Sequence, residues 1–154
     1  MRILLVASKY FPEYTGAAFR TDSMYRRLCQ LHGDLDIEVL CGGIEHRVRA
    51  SYEQDGFRVN RIRSLVKSQD LGLYNFISSY REALESWRTL SNTNCDLIHV
   101  VGTSSLTSTA IYYARLHNIP LLIELVTTGA SPVQSLPGLH YLWKPNLHRQ
   151  TAII

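Results

Sequence analysis

Ile3-Leu4-Leu5-Val6-Ala7, then Ser8-Lys9-Tyr10-Phe11-Pro12-Glu13-Tyr14-Thr15-Gly16, then Ala17 onward is the stretch that decides the fold. A short apolar run reads as a buried strand, the aromatic-rich segment after it as a loop, and the residues from 17 as a helix. Doubly wound nucleotide-binding domains open in this way. Gly16, Ala17 and Ala18 fall where the helix begins, and small residues there leave backbone N–H groups free to face an anion.

Outward from that corner, residues 17–32 read as helix, with Ala17, Met24, Leu28 and Leu31 near helical spacing and Gly33 as a stop. Ile37-Glu38-Val39-Leu40-Cys41 is the next strand, closed by Gly42-Gly43. Val48, Ala50 and Tyr52 then alternate with polar residues, and Asp55-Gly56 signals a hairpin whose second arm, about Phe57 to Ile62, joins the sheet. That segment carries Arg47, Arg49, Arg58, Arg61 and Arg63, a spacing expected of a solvated strand face, with an anionic-lipid or substrate patch as the alternative.

Leu73, Phe76, Tyr80, Leu84, Trp87 and Leu90 form one stripe over residues 71–91, predicting a helix packed on the sheet by that stripe. Leu97-Ile98-His99-Val100-Val101 is a buried strand closed by Gly102. Thr103, Ser104 and Ser105 are each capable N-caps for a helix from about Leu106 to His117, with Ile111, Tyr112 and Leu116 facing inward. Leu121 to Val126 is the following strand, and Thr127 to Pro132 a polar loop at its end. From Val133 to Lys144 the pattern is weak. Asn146 to Ile154 reads as the start of another helix or strand.

This order predicts an α/β, Rossmann-like domain with a mostly parallel sheet, right-handed crossovers and helices on both faces. Such sheets bind ligands at the carboxyl ends of their strands. Residues 8–18, 99–107 and 126–132 reach that edge, all supplied with Gly, Ser and Thr.

A length of 154 residues with 45% hydrophobic content suits one domain with a single core, and 19% charged residues argues against disorder. The net charge of +3 fits an anionic substrate or membrane surface and is too small to argue for nucleic acid. Cys29, Cys41 and Cys95 are odd in number and far apart, which implies neither a disulfide framework nor a paired-cysteine metal site. Cys41 and Cys95 read as small buried hydrophobes. The run Ile3–Ala7 is too short for a secretory segment, and no stretch has the length of a membrane span. A reducing, cytoplasmic setting is expected. GxGxxG is absent, against NAD or FAD, and no GxSxG elbow follows a strand.

Met1-Arg2-Ile3-Leu4-Leu5-Val6, Tyr10-Phe11-Pro12 and the turn Thr15-Gly16-Ala17 together resemble the N-terminal domain of the family-four retaining glycosyltransferases, which have the GT-B architecture. Cys95-Asp96-Leu97-Ile98-His99-Val100 is similar to that family's strand of aspartate, two apolar residues and histidine. Asn118-Ile119-Pro120-Leu121-Leu122 is similar to the start of its next strand. The resemblance implies one half of a two-domain enzyme. Residues 1–154 would be the acceptor-side N-terminal domain, ending before its last strand and helix, with the C-terminal donor domain missing.

The same resemblance implies a sugar moved from a nucleotide-diphosphate sugar, as co-substrate, to a glycan, lipid or small-molecule acceptor. It implies no tightly bound cofactor and no metal. The chain alone is expected to be inert. Its donor-phosphate loop would be Thr15, Gly16 and Ala17. At Gly16 a close backbone approach to phosphate stands beside a plain helix-start turn. Tyr10, Arg20, His99, Gly102, Thr103, Glu124, Thr127 and Thr128 would line the acceptor side or cleft.

His99 matches the family's strand-end histidine, with a hydrogen-bonded core residue as the alternative reading. Where the family has a second histidine this chain has Val101, and where it ends the next strand with histidine this chain has Val126. Glu124 is costly to bury alone, so it is expected either to pair with a cleft arginine such as Arg20 or to form a structural ion pair at a helix-facing edge. The arginine-bearing hairpin suggests a peripheral position on anionic lipid at the inner face of the membrane. The competing class is a stand-alone flavodoxin-like ligand-binding or protein-interaction domain. Against its response-regulator form, Ser8-Lys9 replaces the acidic cluster after the first strand.

Overall fold

A computed structural model describes residues 1–13, 16–42, 49–63, 73–102, 104–124 and 151–153. The opening apolar run forms β1 (Arg2–Ala7) and leads to α1 (Gly16–Leu31) and β2 (Asp36–Cys41). The hairpin β3 (Ala50–Gln54) and β4 (Phe57–Arg61) follows, then α2 (Leu73–Ser91), β5 (Leu97–Val101), α3 (Ser105–Leu116), β6 (Leu121–Glu124) and β7 (Thr151–Ile153). The seven strands form one sheet in the order β3-β4-β2-β1-β5-β6-β7. Only β3 runs antiparallel to its neighbour. The fold is the α/β, Rossmann-like class that the strand–helix alternation predicts.

The β3–β4 hairpin closes on Asp55 and Gly56, both at positive φ, which is the two-residue turn that matches strand twist. Its second arm joins the sheet as expected, and it does so by pairing with β2 in parallel. At the other end of the domain, Ser104 caps α3 through a capping box with Thr107, so the structure selects Ser104 among the candidate caps. Asn118 at φ 54, with Ile119 N–H donating to Ala114 O and Asn118 N–H to Arg115 O, closes α3 as a Schellman motif.

β1 is buried on both faces. Leu4 and Val6 face α2 and α3, where Leu106, Ala110, Ile111, Ala114 and Leu90 pack. Ile3, Leu5 and Ala7 face α1, with Val39, Val59, Phe57, Ala18 and Tyr25. Cys41 is fully buried, and burial pushes its thiol up to about 12; Cys95 is half-buried and pushed up to about 11 for the same reason.

Three helix faces differ from their apolar stripes. On α2, Trp87 and Leu90 pack as expected, but Tyr80 and Leu84 are exposed and the buried arc is Glu82, Ser86 and Thr89. The side chains of Leu73 and Phe76 lie outside the described set. The small Ser86, whose hydroxyl donates to Glu82 O, lets α2 lie close against α3. Burial raises the Glu82 pKa, and a hydrogen bond with Ser105 in the first turn of α3 opposes the rise. Trp87 meets the Tyr113 ring edge-on at 5.1 Å.

On α3, Tyr113 rather than Tyr112 turns inward, and Leu116 is exposed. Ala110 and Ala114 permit the close approach that decides this facing. On α1, Ala18, Thr21, Asp22 and Tyr25 are buried, Met24 and Leu28 only flank the core, and Leu31 is exposed. On α1 Asp22 turns inward to its Tyr10 partner, and on α2 Glu82 turns inward to Ser105. Arg61 also departs from the solvated face expected of it. It lies on the inner side of β4 with its guanidinium over the Tyr52 ring at 5.2 Å, while Arg49, Arg58 and Arg63 are exposed.

Candidate functional site

The chain runs outward from β1 to β2 on one side, and α2 carries it back across to β5 on the other. The switch point of this sheet is therefore the carboxyl edge between β1 and β5, where ligands of open α/β sheets sit. Ser8 stands in that gap. Its N–H donates to Val101 O at 3.4 Å. A Cβ on Gly42 would come within 3.1 Å of Ser8 O, and one on Gly102 within 3.0 Å of Ser8 Oγ. Gly102 is also at φ +78, so its backbone shape and the room beside Ser8 both require glycine. Gly102 N–H reaches Glu124 O at 3.4 Å, which ties the ends of β5 and β6 together.

Above this floor α1 contributes its first turns. Gly16 is its first residue, and a Cβ there would meet no atom of the described residues within 4 Å. Ala17 follows, half-buried. Arg20 projects one turn on, its side chain 62% exposed, and its Nη2 is ion-paired with Glu124 Oε1, whose side chain is 8% exposed. Glu124 therefore takes the pairing with Arg20 that its position at the end of β6 suggested.

His99 is fully buried on β5, on the α1 side of the sheet. Its Nδ1 lies 2.8 Å from the Tyr25 hydroxyl, a contact that holds for either tautomer because a phenol both donates and accepts. Its Nε2 lies 3.5 Å from Glu124 Oε2. Burial, with the nearby Arg20 charge, lowers the His99 pKa to about 4, so the ring is neutral at pH 7. Tyr25 is held protonated by burial. The result is a polar line Tyr25–His99–Glu124–Arg20 that runs from beneath α1 to solvent at the switch-point edge. Among the described residues His99 Nε2 has no hydrogen bond, while Glu124 Oε1 is taken up by the Arg20 ion pair. A buried ring nitrogen left open in this way is uncommon in a folded protein.

Tyr10 lies elsewhere. It is buried, and its hydroxyl donates to Asp22 Oδ1 at 2.7 Å. Asp22 Oδ2 accepts from Arg26 Nε at 2.7 Å, and Arg26 continues to Asp55 in the hairpin turn. Tyr52 donates to Phe11 O, so the hairpin also grips the first loop. Of the residues expected at the site, Gly16, Ala17, Gly102 and Glu124 lie toward the carboxyl edge, Arg20 joins them through Glu124, and His99 is buried in the middle of β5 beneath Glu124. Thr15, Thr103, Thr127, Thr128 and Val126 lie outside the described residues. Ser8 and Tyr25 were not singled out from the sequence. Ser8 carries no motif, and Tyr25 looks like any aromatic on an amphipathic helix. Among the described residues no group of three or more His, Cys, Asp or Glu side chains is placed to hold a metal, and no helix is long and apolar enough to cross a membrane.

Fold and site together define a Rossmann-like α/β domain with a polar ligand edge at its topological switch point. No protein-family model matches the sequence, and no curated protein matches it. Among solved structures the chain is similar to trehalose-6-phosphate from E. coli bound with UDP-2-fluoro glucose, at a TM-score of 0.56 and 10% identity over 92% of this chain. That neighbour is a glycosyltransferase of GT-B architecture. The likeness establishes a shared fold. This chain spans 37% of the neighbour's length.

Proposed function

We propose that this chain is the acceptor-side, N-terminal half of a retaining, family-four type glycosyltransferase. The whole enzyme moves a sugar from a nucleotide-diphosphate sugar to a glycan, lipid or small-molecule acceptor. The observation that carries the reading is the polar line at the switch-point edge, in which the buried His99 Nε2 is left open and Arg20 of α1 pairs with Glu124. The GT-B neighbour, bound to a UDP-sugar and more than twice as long, supports it.

In this reading the first turn of α1 offers the Gly16 and Ala17 N–H groups to the donor diphosphate, and the helix dipole favours the negative charge that grows on it as the glycosidic bond breaks. Cationic side chains and helix N-termini suffice for that leaving group, so no step requires a metal. Glu124 and His99 offer a carboxylate and an imidazole to sugar hydroxyls, a pairing that rejects ligands lacking those hydroxyls because buried polar atoms would stay unpaired.

A thermal-shift screen of the full-length polypeptide against UDP-, GDP- and ADP-sugars tests the reading. Stabilisation by one base class is expected. Stabilisation by flavin mononucleotide alone would instead favour a flavodoxin-like binding domain. Sugar transfer by residues 1–154 alone would contradict the half-enzyme reading.

A further inference from the structure

Arg20 has an unusual pair of environments. Its side chain is mostly in solvent, and its only charged partner among the described residues, Glu124, is almost wholly buried. An exposed guanidinium is easily recruited by a passing phosphate, with which it forms strong bidentate hydrogen bonds. A buried carboxylate is not easily abandoned, because an uncompensated charge in a protein interior is costly. Among the described residues, His99 Nε2, without a hydrogen bond and 3.5 Å from the other oxygen of Glu124, is placed to resolve this conflict.

We infer that Arg20 is a proton-linked latch: a diphosphate-bearing ligand at the start of α1 draws the Arg20 guanidinium away from Glu124, and His99 takes up a proton from solvent in its place. The step makes and breaks no covalent bond except N–H. The imidazolium carries N–H on both nitrogens. Nδ1–H donates to the Tyr25 hydroxyl, which acts as acceptor, and Nε2–H faces Glu124 Oε2. One positive charge beside Glu124 is exchanged for another, and the freed Arg20 serves the ligand. The inference rests on the proposed diphosphate site at residues 16–20.

The groups facing His99 make this exchange one-directional. From α1 they are Tyr25, with Cys29 behind it, and Arg20; from β6, Glu124; β1 presents Leu5 opposite His99 in register. Among the described residues, then, one cation and one anion bear on the ring. Arg20 and burial hold His99 at about 4 in the resting state. With the cation withdrawn, the remaining carboxylate of Glu124, 3.5 Å from Nε2, favours the imidazolium.

NMR titration of the His99 ring, read at constant ionic strength, tests the latch in two arms on this chain. Without ligand, Arg20→Gln is expected to raise the His99 pKa by about one unit. Glu124→Gln combined with Arg20→Gln is expected to give a smaller rise, because the carboxylate that favours the imidazolium is then gone as well. With inorganic pyrophosphate as probe, wild-type His99 is expected to show the same rise while the Gly16 and Ala17 amides shift. An unchanged His99 titration in Arg20→Gln overturns the latch. Pyrophosphate shifts at residues 16–20 with no change at His99 overturn the latch and leave the diphosphate site standing. No pyrophosphate shift at residues 16–20 overturns both.

Discussion

α1 carries two polar lines of nearly the same composition, and they differ in whether they are complete. On the hairpin side, Tyr10, Asp22, Arg26 and Asp55 form a closed set in which Asp22 uses both carboxylate oxygens and Arg26 bridges two acids. On the β6 side, Tyr25, His99, Glu124 and Arg20 form an open set in which Arg20 takes one Glu124 oxygen and His99 Nε2 is left without a hydrogen bond among the described residues. A tyrosine, a buried acid and an arginine appear in both. The closed set fastens helix, loop and hairpin together and has nothing left to offer a ligand. The open set leaves one buried ring nitrogen unspent, and in the proposed reading it serves the edge where ligands of this fold bind. The comparison teaches that residue type does not separate scaffold from site here; satisfaction does.

The largest expected effect falls on the closed set. Asp22→Ala leaves the buried Tyr10 hydroxyl without its acceptor and Arg26 with Asp55 alone, and should cost about 3 kcal/mol in urea unfolding, as leaving a buried polar group unsatisfied does. A loss below 1 kcal/mol would break the contrast. Next comes the acid response of the open set. Because the His99 pKa is depressed, the unfolded chain binds that proton more readily than the folded one. Its contribution is therefore full above pH 6.5 and is lost as pH falls toward 4, by on the order of 3 kcal/mol. Stability measured against pH should lose this component in His99→Gln, and an unaltered profile would remove His99 from the account.

Gly102→Ala should cost about 1–2 kcal/mol, from positive φ and the Ser8 contact, measurable by thermal unfolding. Glu124→Gln is the mildest and sharpens the comparison most. Its partner Arg20 is largely solvated, so urea unfolding at pH 7 should change by less than about 1 kcal/mol, where Asp22→Ala is severe. A loss as large as that of Asp22→Ala would make the open set structural too.

The strand framework was legible because buried parallel strands are written as plain apolar runs. Ile3–Ala7, Ile37–Cys41 and Leu97–Val101 all lie in the sheet, and Asp55-Gly56 marks the hairpin by turn chemistry alone. Helix facing was not legible. Asp22 on α1 and Glu82 and Ser86 on α2 are buried only because of partners distant in sequence, and no periodicity reports that Tyr10 or Ser105 will meet them. The site was half legible. His99 and Glu124 stand out as polar residues in apolar strands, and Arg20 as a cation near the helix start. Tyr25 and Ser8 acquire meaning only from the packing of α1 on β5 and of the first loop between Gly42 and Gly102.

The central claim is that the open set binds the phosphate-bearing ligand and the closed set does not. Calorimetric titration of the full-length polypeptide with its most stabilising sugar nucleotide tests it directly, comparing Arg20→Gln with Arg26→Gln. The account predicts about tenfold weaker binding for Arg20→Gln, equivalent to about 1.4 kcal/mol, and unchanged affinity for Arg26→Gln. Equal affinities for Arg20→Gln and wild type, or a loss confined to Arg26→Gln, would contradict it.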